Sequence, residues 1–475
     1  MLVTTFRPTE SAFRRAPGRD IEAFYRAQTE RGAVESRQRA RPPGLAGDSF
    51  FFYETRDALH RLLAVASESS LFVALQHRNF RLLWLGTFIS MAGSMMRNAA
   101  ILWHVSLLVP EGQKALALGG VGLVRVLPIL ICSLFAGVAA DAFNRRRLLL
   151  VTNSVMLVLS SALAAITLTG IATLPAVYTL AALSGAAAVF DNPARNSFFP
   201  TLVPREHLPN AISLNSILFQ SASVVGPSIA GVVIANFSVG AVYAIDAVSF
   251  LVLIASLLSL KDVPERPNAT RAALSLRAAW DGVVFVFTRP LIRSSMLLDF
   301  FATFFASATA LLPIFAQDVL HVGAHGYGLL SSASAVGAVL TSLLMVRFVE
   351  QIEQRGRALV VAAATYGLVT IGFGLSRVFW LSFACLFLSG AADMVSTVLR
   401  NVLRQLATPD EMRGRMTSVN MMFFMGGPQL GELEAGLVAQ AVGPAMSVIS
   451  GGIGCVLSVL WLAFRTPALL NYRKE

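Results

Sequence analysis

Long apolar stretches separated by short polar ones dominate the chain from about residue 80 onward. From Leu148 to Phe190 there are 43 consecutive positions without a charged residue, broken only by the turn-prone Gly170 and Pro175. About 20 apolar residues cross a bilayer as a helix, so this segment reads as two spans and a tight turn. The same length test predicts twelve helices, near residues 82–109, 117–140, 147–169, 174–193, 209–235, 240–260, 294–316, 326–347, 358–376, 378–399, 415–440 and 443–464. A membrane barrel would alternate apolar and polar residues in short segments, so the predicted class is an all-α integral membrane protein.

Composition agrees with that reading and refines it. At 55% hydrophobic and 14% charged residues, the chain is too apolar for a soluble domain, in which nearly a quarter of residues are charged. Its net charge of +11 would point to nucleic acid if gathered in one basic patch. Instead, the two ends and the loops after even-numbered spans hold 34 of the 38 Lys and Arg residues. Lys114 and Arg377 lie on the other side, and Arg97 and Arg125 lie within spans. Basic residues stay cytoplasmic, so both termini are expected inside, and anionic headgroups account for the charge. No nucleic-acid partner is expected.

Residues 1–75, rich in Arg, Pro, Gly and Ser, are predicted to form a mostly disordered, basic cytoplasmic extension. Within it, RDALHRLLAVA at 56–66 has the pattern of a short helix lying on the membrane. Cys132, Cys385 and Cys455 all fall inside spans without metal-ligand spacing, so no metal or cofactor is expected.

The pentapeptide LSGAA occurs at 183–187 and again at 388–392, an offset of 205. At the same offset Arg195 and Asn196 match Arg400 and Asn401, Pro204 matches Pro409, Asn215 matches Asn420, and Gly226 and Gly231 match Gly431 and Gly436. Matched polar residues in a loop are hard to obtain by chance, so the chain reads as a duplication. Six spans separate the copies, and an even number preserves orientation. The halves are therefore parallel repeats, as in transporters built of two six-helix bundles. The expected organisation is an N-terminal bundle at 76–260, a linker at 261–293, a C-terminal bundle at 294–465 and a tail at 466–475. In the linker, Leu276, Trp280, Val283, Val284 and Phe287 recur at helical spacing and predict an amphipathic helix on the cytoplasmic surface.

GVAADAFNRRR, Gly137 to Arg147, resembles the signature between the second and third helices of the major facilitator superfamily. The resemblance covers about residues 75–465. Gly137 would allow close helix contact, Asp141 would sit at the membrane exit, and Arg145, Arg146 and Arg147 would face the headgroups. Ala142 replaces a usual basic residue and Asn144 a usual glycine, a substitution compatible with positive φ. A second match is GPSIAG on the fifth span, which looks like a shortened exporter motif. There Pro227 would bend the helix while Gly226 and Gly231 permit tight packing; a purely structural kink accounts for it equally. DNPAR, Asp191 to Arg195, followed by FFPTLVPREHLPNAISLNS, is similar to the branch that holds enterobactin exporters and macrolide efflux pumps. That resemblance implies export driven by the proton gradient.

A charge within the bilayer costs about 2.5 to 3.5 kcal/mol on insertion scales and persists only when partnered or solvated by a cavity. The candidates for substrate or proton handling are Arg97, Arg125, Asp246, Asp299, Asp393, Glu432 and Glu434. Arg125 lies about 12 Å from the outer end of its span at 1.5 Å per residue, and Glu432 and Glu434 occupy the outer half of theirs. Arg125 is expected to pair with one of them as an outer gate; alternatively, both carboxylates merely reach the headgroups. Arg97 and Asp246 have similar depth and are expected to pair. Asp299 and Asp393 are proton-carrier or cation-binding candidates, or packing residues.

No His is followed five residues later by Asp, and no Walker loop is present, so neither an enzyme nor an ATP-driven pump is expected. The reading is a monomeric, proton-coupled exporter of a siderophore or drug-like amphipathic molecule in the inner membrane, with lipid, cargo and protons as its partners. An importer of the same architecture and a non-transporting membrane receptor or scaffold are the alternatives.

Overall fold

The computed structural model describes residues 72–261, 276–409 and 412–474. The expectations for the basic extension, including its 56–66 helix, lie outside the described residues apart from the extension's last few positions. Twelve long helices follow in order: α1 (Arg78–Leu108), α2 (Lys114–Ala142), α3 (Arg145–Leu168), α4 (Leu174–Phe198), α5 (Leu208–Asn236), α6 (Val239–Leu258), α7 (Pro290–Phe305), α8 (Gly323–Phe348), α9 (Arg355–Leu375), α10 (Phe379–Ala407), α11 (Arg413–Val442) and α12 (Pro444–Arg465). Proline opens α4, α5, α7 and α12, where its missing N–H leaves no hydrogen bond unmade.

Ten helical segments among the described residues are long and apolar enough to cross a bilayer: nine of these helices and the run Pro290–Val319, which joins α7 to the turns after it. The other two, α1 and α11, carry more polar residues along their length, among them Arg97, Asn98, Gln429 and Glu432. Both line the central cavity described below, where Arg97, Asn98 and Gln429 face the cavity instead of lipid.

Three expectations are corrected. The seventh span is not one helix: α7 stops at Phe305, followed by a 3₁₀ turn at Ala308–Leu311, a short helical turn at Leu312–Ile314 and a π turn at Phe315–Val319. Pro313 has no N–H to return to the carbonyl of Thr309, so an unbroken ladder cannot run through this stretch. The tenth span does not end at 399, since α10 continues to Ala407 and takes Arg400 and Arg404 into the helix; α4 likewise takes in Arg195. Asn144 is not a left-handed turn residue. With φ of −60° it caps α3, its side chain accepting from the Arg147 N–H.

Packing repeats across the two halves. In the first, α1 packs on α5 and α6, α2 on α4, and α3 on α4 and α6; in the second, α7 packs on α11 and α12, α8 on α10, and α9 on α10 and α12. The halves meet where α2 packs on α11 and α5 on α8. Residues matched in the sequence repeat occupy corresponding places at these seams. Gly231 of α5 and Gly436 of α11, matched in the repeat, each face a glycine of the opposite half: a Cβ on Gly231 would stand 2.6 Å from the Gly328 Cα, and one on Gly436 2.5 Å from the Gly119 Cα. Close approach of backbones through small residues is how membrane helices associate. Outward, large side chains such as Leu343, Val346, Leu457 and Phe464 are exposed, as lipid contact requires.

The linker contains the predicted helix, at Leu276–Thr288. Val286 is its buried anchor, packed with Met296, Met416 and Val419, while Trp280, Val284 and Phe287 face outward. The C-terminal segment folds back on the α8–α9 turn: the Gly356 N–H donates to the Tyr472 carbonyl at 3.0 Å, and Lys474 reaches Glu350 at 2.7 Å.

Candidate functional site

Between the halves lies a cavity of about 630 Å³ lined by α1, α2, α4, α5, α7, α10 and α11, among other elements. One end is closed. There Lys114, at the start of α2, bonds both carboxylate oxygens of Asp318 in the π turn, at 3.1 and 3.2 Å. Gln317 beside it donates to Ser106 at 2.8 Å, Tyr327 to the Ala99 carbonyl at 2.8 Å, and Gln440 to the Gly112 carbonyl at 2.7 Å. These bonds join the halves at the end remote from the C-terminal tail. From there the cavity runs past Arg97 and Arg125 to Arg195 and Arg400.

The intramembrane charges sort into four groups, and each Arg has a carboxylate. Arg97 donates to Asp246 at 2.9 Å and to Ser160 at 2.9 Å, and Ser160 in turn donates to Asp246 at 2.6 Å. Helices α1, α3 and α6 are thereby tied together within one half, with both charges buried. Arg125 lies 3.8 Å from Glu432 across the seam between halves and donates to the Asn98 carbonyl at 3.2 Å. The choice left open by sequence is thus resolved geometrically: Glu432 faces Arg125, and Glu434 has no ion-pair partner among the described residues. One oxygen of Glu432 is buried without a hydrogen bond.

The other two groups bring in residues that sequence reasoning had placed in loops. Asp191 pairs with Arg195 one turn on and accepts from Thr152 at 2.9 Å and Asn153 at 2.8 Å. In the second half, Asp299 of α7 sits between Arg400 at 2.9 Å and Arg404 at 3.3 Å, with all three side chains buried. Asp393, the remaining carboxylate, lies 3.6 Å from Arg400 and its side chain is 43% exposed. The available signal was helical phase: Asp393, Arg400 and Arg404, at steps of seven and four, fall on one face of a continuous helix.

Two arginines of the loop signature bind main-chain carbonyls. Arg145 donates to the Ser197 carbonyl at 2.9 Å, and Arg146 to the carbonyls of Leu257 and Leu258 at 2.9 and 3.0 Å. They bind carbonyls at the C-terminal ends of α4 and α6, where cations are favoured, and only Arg147 of the three is exposed. Gly137 and Asp141 fall in the last turns of α2. In the fifth helix, Gly226 sits against Met95 and Ala92 of α1, and Pro227 lies within the helix, its carbonyl close to Gly328.

Two like-oriented helical halves around a charged, water-accessible crevice define a multi-pass membrane transporter of the major facilitator fold. Comparison with known proteins gives the family: a model described as transmembrane secretion effector, of the major facilitator class, matches residues 69–471, and the chain belongs to it. Among curated relatives, the enterobactin exporter EntS of Citrobacter koseri is 26% identical over 401 residues, covering 84% of this chain and 94% of that protein. The Escherichia coli and Shigella boydii EntS proteins are each 25% identical over the same shares. Solved structures with the same fold include a bacterial homologue of the lysosomal transporter Spinster, inward-facing and unoccupied, with a TM-score of 0.66 at 14% identity, covering 84% of this chain and 99% of that one. A bacterial homologue of the iron transporter ferroportin, also inward-facing, has a TM-score of 0.63 at 14% identity over 83% and 99%. The family and these neighbours are all transporters.

Proposed function

We propose that the protein is a proton-coupled secondary exporter of a siderophore or drug-like amphipathic molecule, working by alternating access as a monomer in the inner membrane. The observation that carries this reading is the cavity of about 630 Å³ between the halves, sealed at one end and lined by paired charges. The positive-inside rule puts the basic loops and both termini in the cytoplasm, so the sealed end faces outward and the state is inward-facing. The bundles at 76–260 and 294–465 rock about the cavity, and the 261–293 linker connects them. The name of the EntS relatives supports siderophore export.

Charge balance supports proton coupling. Five arginines (Arg97, Arg125, Arg195, Arg400 and Arg404) face five carboxylates (Asp191, Asp246, Asp299, Asp393 and Glu432). Neutralising one carboxylate by a proton leaves a guanidinium unmatched in a low-dielectric setting, where the imbalance is costly. Asp393 is the most exposed of the five, at 43% of its side chain, and stands 3.6 Å from its arginine, which makes it the proton carrier. Arg125 and Glu432 form the outer gate.

The test is transport in inside-out vesicles with and without an imposed pH gradient, using a catecholate siderophore and a cationic dye as cargo. Accumulation that collapses when the gradient is dissipated is the expected result. Movement in the opposite direction would make the protein an importer, and indifference to the gradient would remove proton coupling.

A further inference from the structure

A second cavity, of about 200 Å³, lies within the C-terminal half between α8, α9, α10 and the turns that follow α7 at 306–312. It shares Ala306, Thr309, Tyr366 and Asp393 with the wall of the main cavity, so the two adjoin at the Asp393 carboxylate. From Asp393 it extends to Cys385, eight residues earlier on α10, which is about 12 Å at 1.5 Å per residue. It therefore points from the middle of the membrane toward the sealed end. Nothing in the mechanism above uses it.

Its lining is mostly apolar, with Leu312, Leu330, Val369, Phe373 and Leu386 among the walls. The hydroxyls at its mouth and sides have largely spent their protons. Tyr366 donates to the Ala306 carbonyl at 3.3 Å, Thr370 to the Tyr366 carbonyl at 2.8 Å, and Ser389 to the Leu386 carbonyl at 2.7 Å. What these three groups still offer is acceptor oxygens, joined by the Asp393 carboxylate. Arg400 lines only the main cavity; it is held more closely by Asp299, at 2.9 Å, than by Asp393, at 3.6 Å. Thr309 and Ser334 also line the space, but at the Asp393 end the carboxylate and the Tyr366 and Thr370 oxygens favour a ligand that brings donors and positive charge to the mouth and apolar surface to the interior.

We infer that this side pocket is a cargo subsite for an amine: the ammonium group sits on Asp393 and one small apolar arm, about the size of a single ring, fills the space toward Cys385. The inference rests on reading the main cavity as a transport path, because the arm enters from there. It makes the cargo class cationic at this point, and it makes proton and ammonium competitors for one carboxylate.

Cys385 provides the test. In the full-length protein in lipid nanodiscs, its thiolate attacks a methanethiosulfonate reagent, forming a mixed disulfide and releasing methanesulfinate. Labelling is quantified by peptide mass spectrometry with 2-aminoethyl and 2-sulfonatoethyl reagents, each normalised to Cys132, which is outside the pocket. A unit charge about 12 Å away at an effective dielectric of about 20 corresponds to about tenfold in rate, and the two reagents differ by two unit charges, so Cys385 is expected to prefer the cationic reagent by between about tenfold and a hundredfold, Arg400 beside Asp393 opposing part of the effect. Asp393→Asn should bring the ratio near one, millimolar phenethylamine should slow the reaction at Cys385 alone, and sodium at equal ionic strength should not. Ala338→Trp, which fills the pocket, should stop labelling by both reagents. Equal rates, a preference for the sulfonate, or no reaction at Cys385 in the unsubstituted protein would overturn the assignment. So would protection by sodium as strong as that by phenethylamine. A cationic preference without gradient-driven export would leave the pocket and sink the export reading; export without the preference would do the reverse.

Discussion

The buried Asp299 shows how much one side chain can decide. It faces two arginines at 2.9 and 3.3 Å with almost no solvent, and removing one member of such a group leaves charge uncompensated, at a cost of about 3 to 5 kcal/mol. Asp299→Asn is therefore expected to lower the thermal unfolding temperature of the solubilised protein by several degrees. Asp393→Asn, with its looser and more exposed carboxylate, should change that temperature little while altering the pH dependence of transport. The gate proposal gives a second expectation. Arg125→Glu and Glu432→Arg should each lose transport, and the double exchange should recover part of it; recovery of nothing would count against the pairing. Arg97 with Asp246 makes the opposite case. Its Ser160 bridge ties three helices of one half, so an exchange there should fail to rescue because the serine geometry is not preserved.

At the level of helices, the glycine seams set what can move. Gly231 and Gly436 bring backbones of opposite halves so close that any side chain would collide with main chain. Gly231→Leu is expected to wedge the closed end open, seen as faster labelling of a cysteine placed at Asn236 from outside the membrane and as reduced transport. A position on the lipid face such as Val346, exposed at 82%, should accept Leu with transport unchanged. The break in α7 is the other element with consequences. Because helix geometry lapses between Phe305 and Ala308, Ala306 offers its carbonyl to Tyr366, and the side pocket has its mouth at this point. An unbroken seventh helix, as the apolar run alone suggested, would have spent that carbonyl within its own ladder.

For the whole molecule, the expectation is that the outer end opens when the halves rock. Lys114 and Asp318 stand 3.1 Å apart across that end. Cysteines in their places, bridged by a bis-methanethiosulfonate crosslinker long enough to replace the lost side chains, should stop transport and release it again on reduction; transport undiminished by a formed crosslink would refute alternating access through this end. Membrane class, the order and approximate positions of most helices, and the basic distribution were legible from the chain, because length, hydropathy and charge are local properties that lipid reads one segment at a time; the ends of the seventh and tenth spans were not. Arg97 and Asp246 were legible too, being expensive wherever a span places them. The partners of Asp299 were hidden, because Arg400 and Arg404 lie where a helix either ends at the membrane surface or continues, and hydropathy cannot tell those apart. The same limit hid the Lys114 latch and the acceptor-lined pocket. Both depend on which helices of two halves come together and on which hydroxyls have already given their protons to backbone, and such pairings exist only once distant segments are folded against one another.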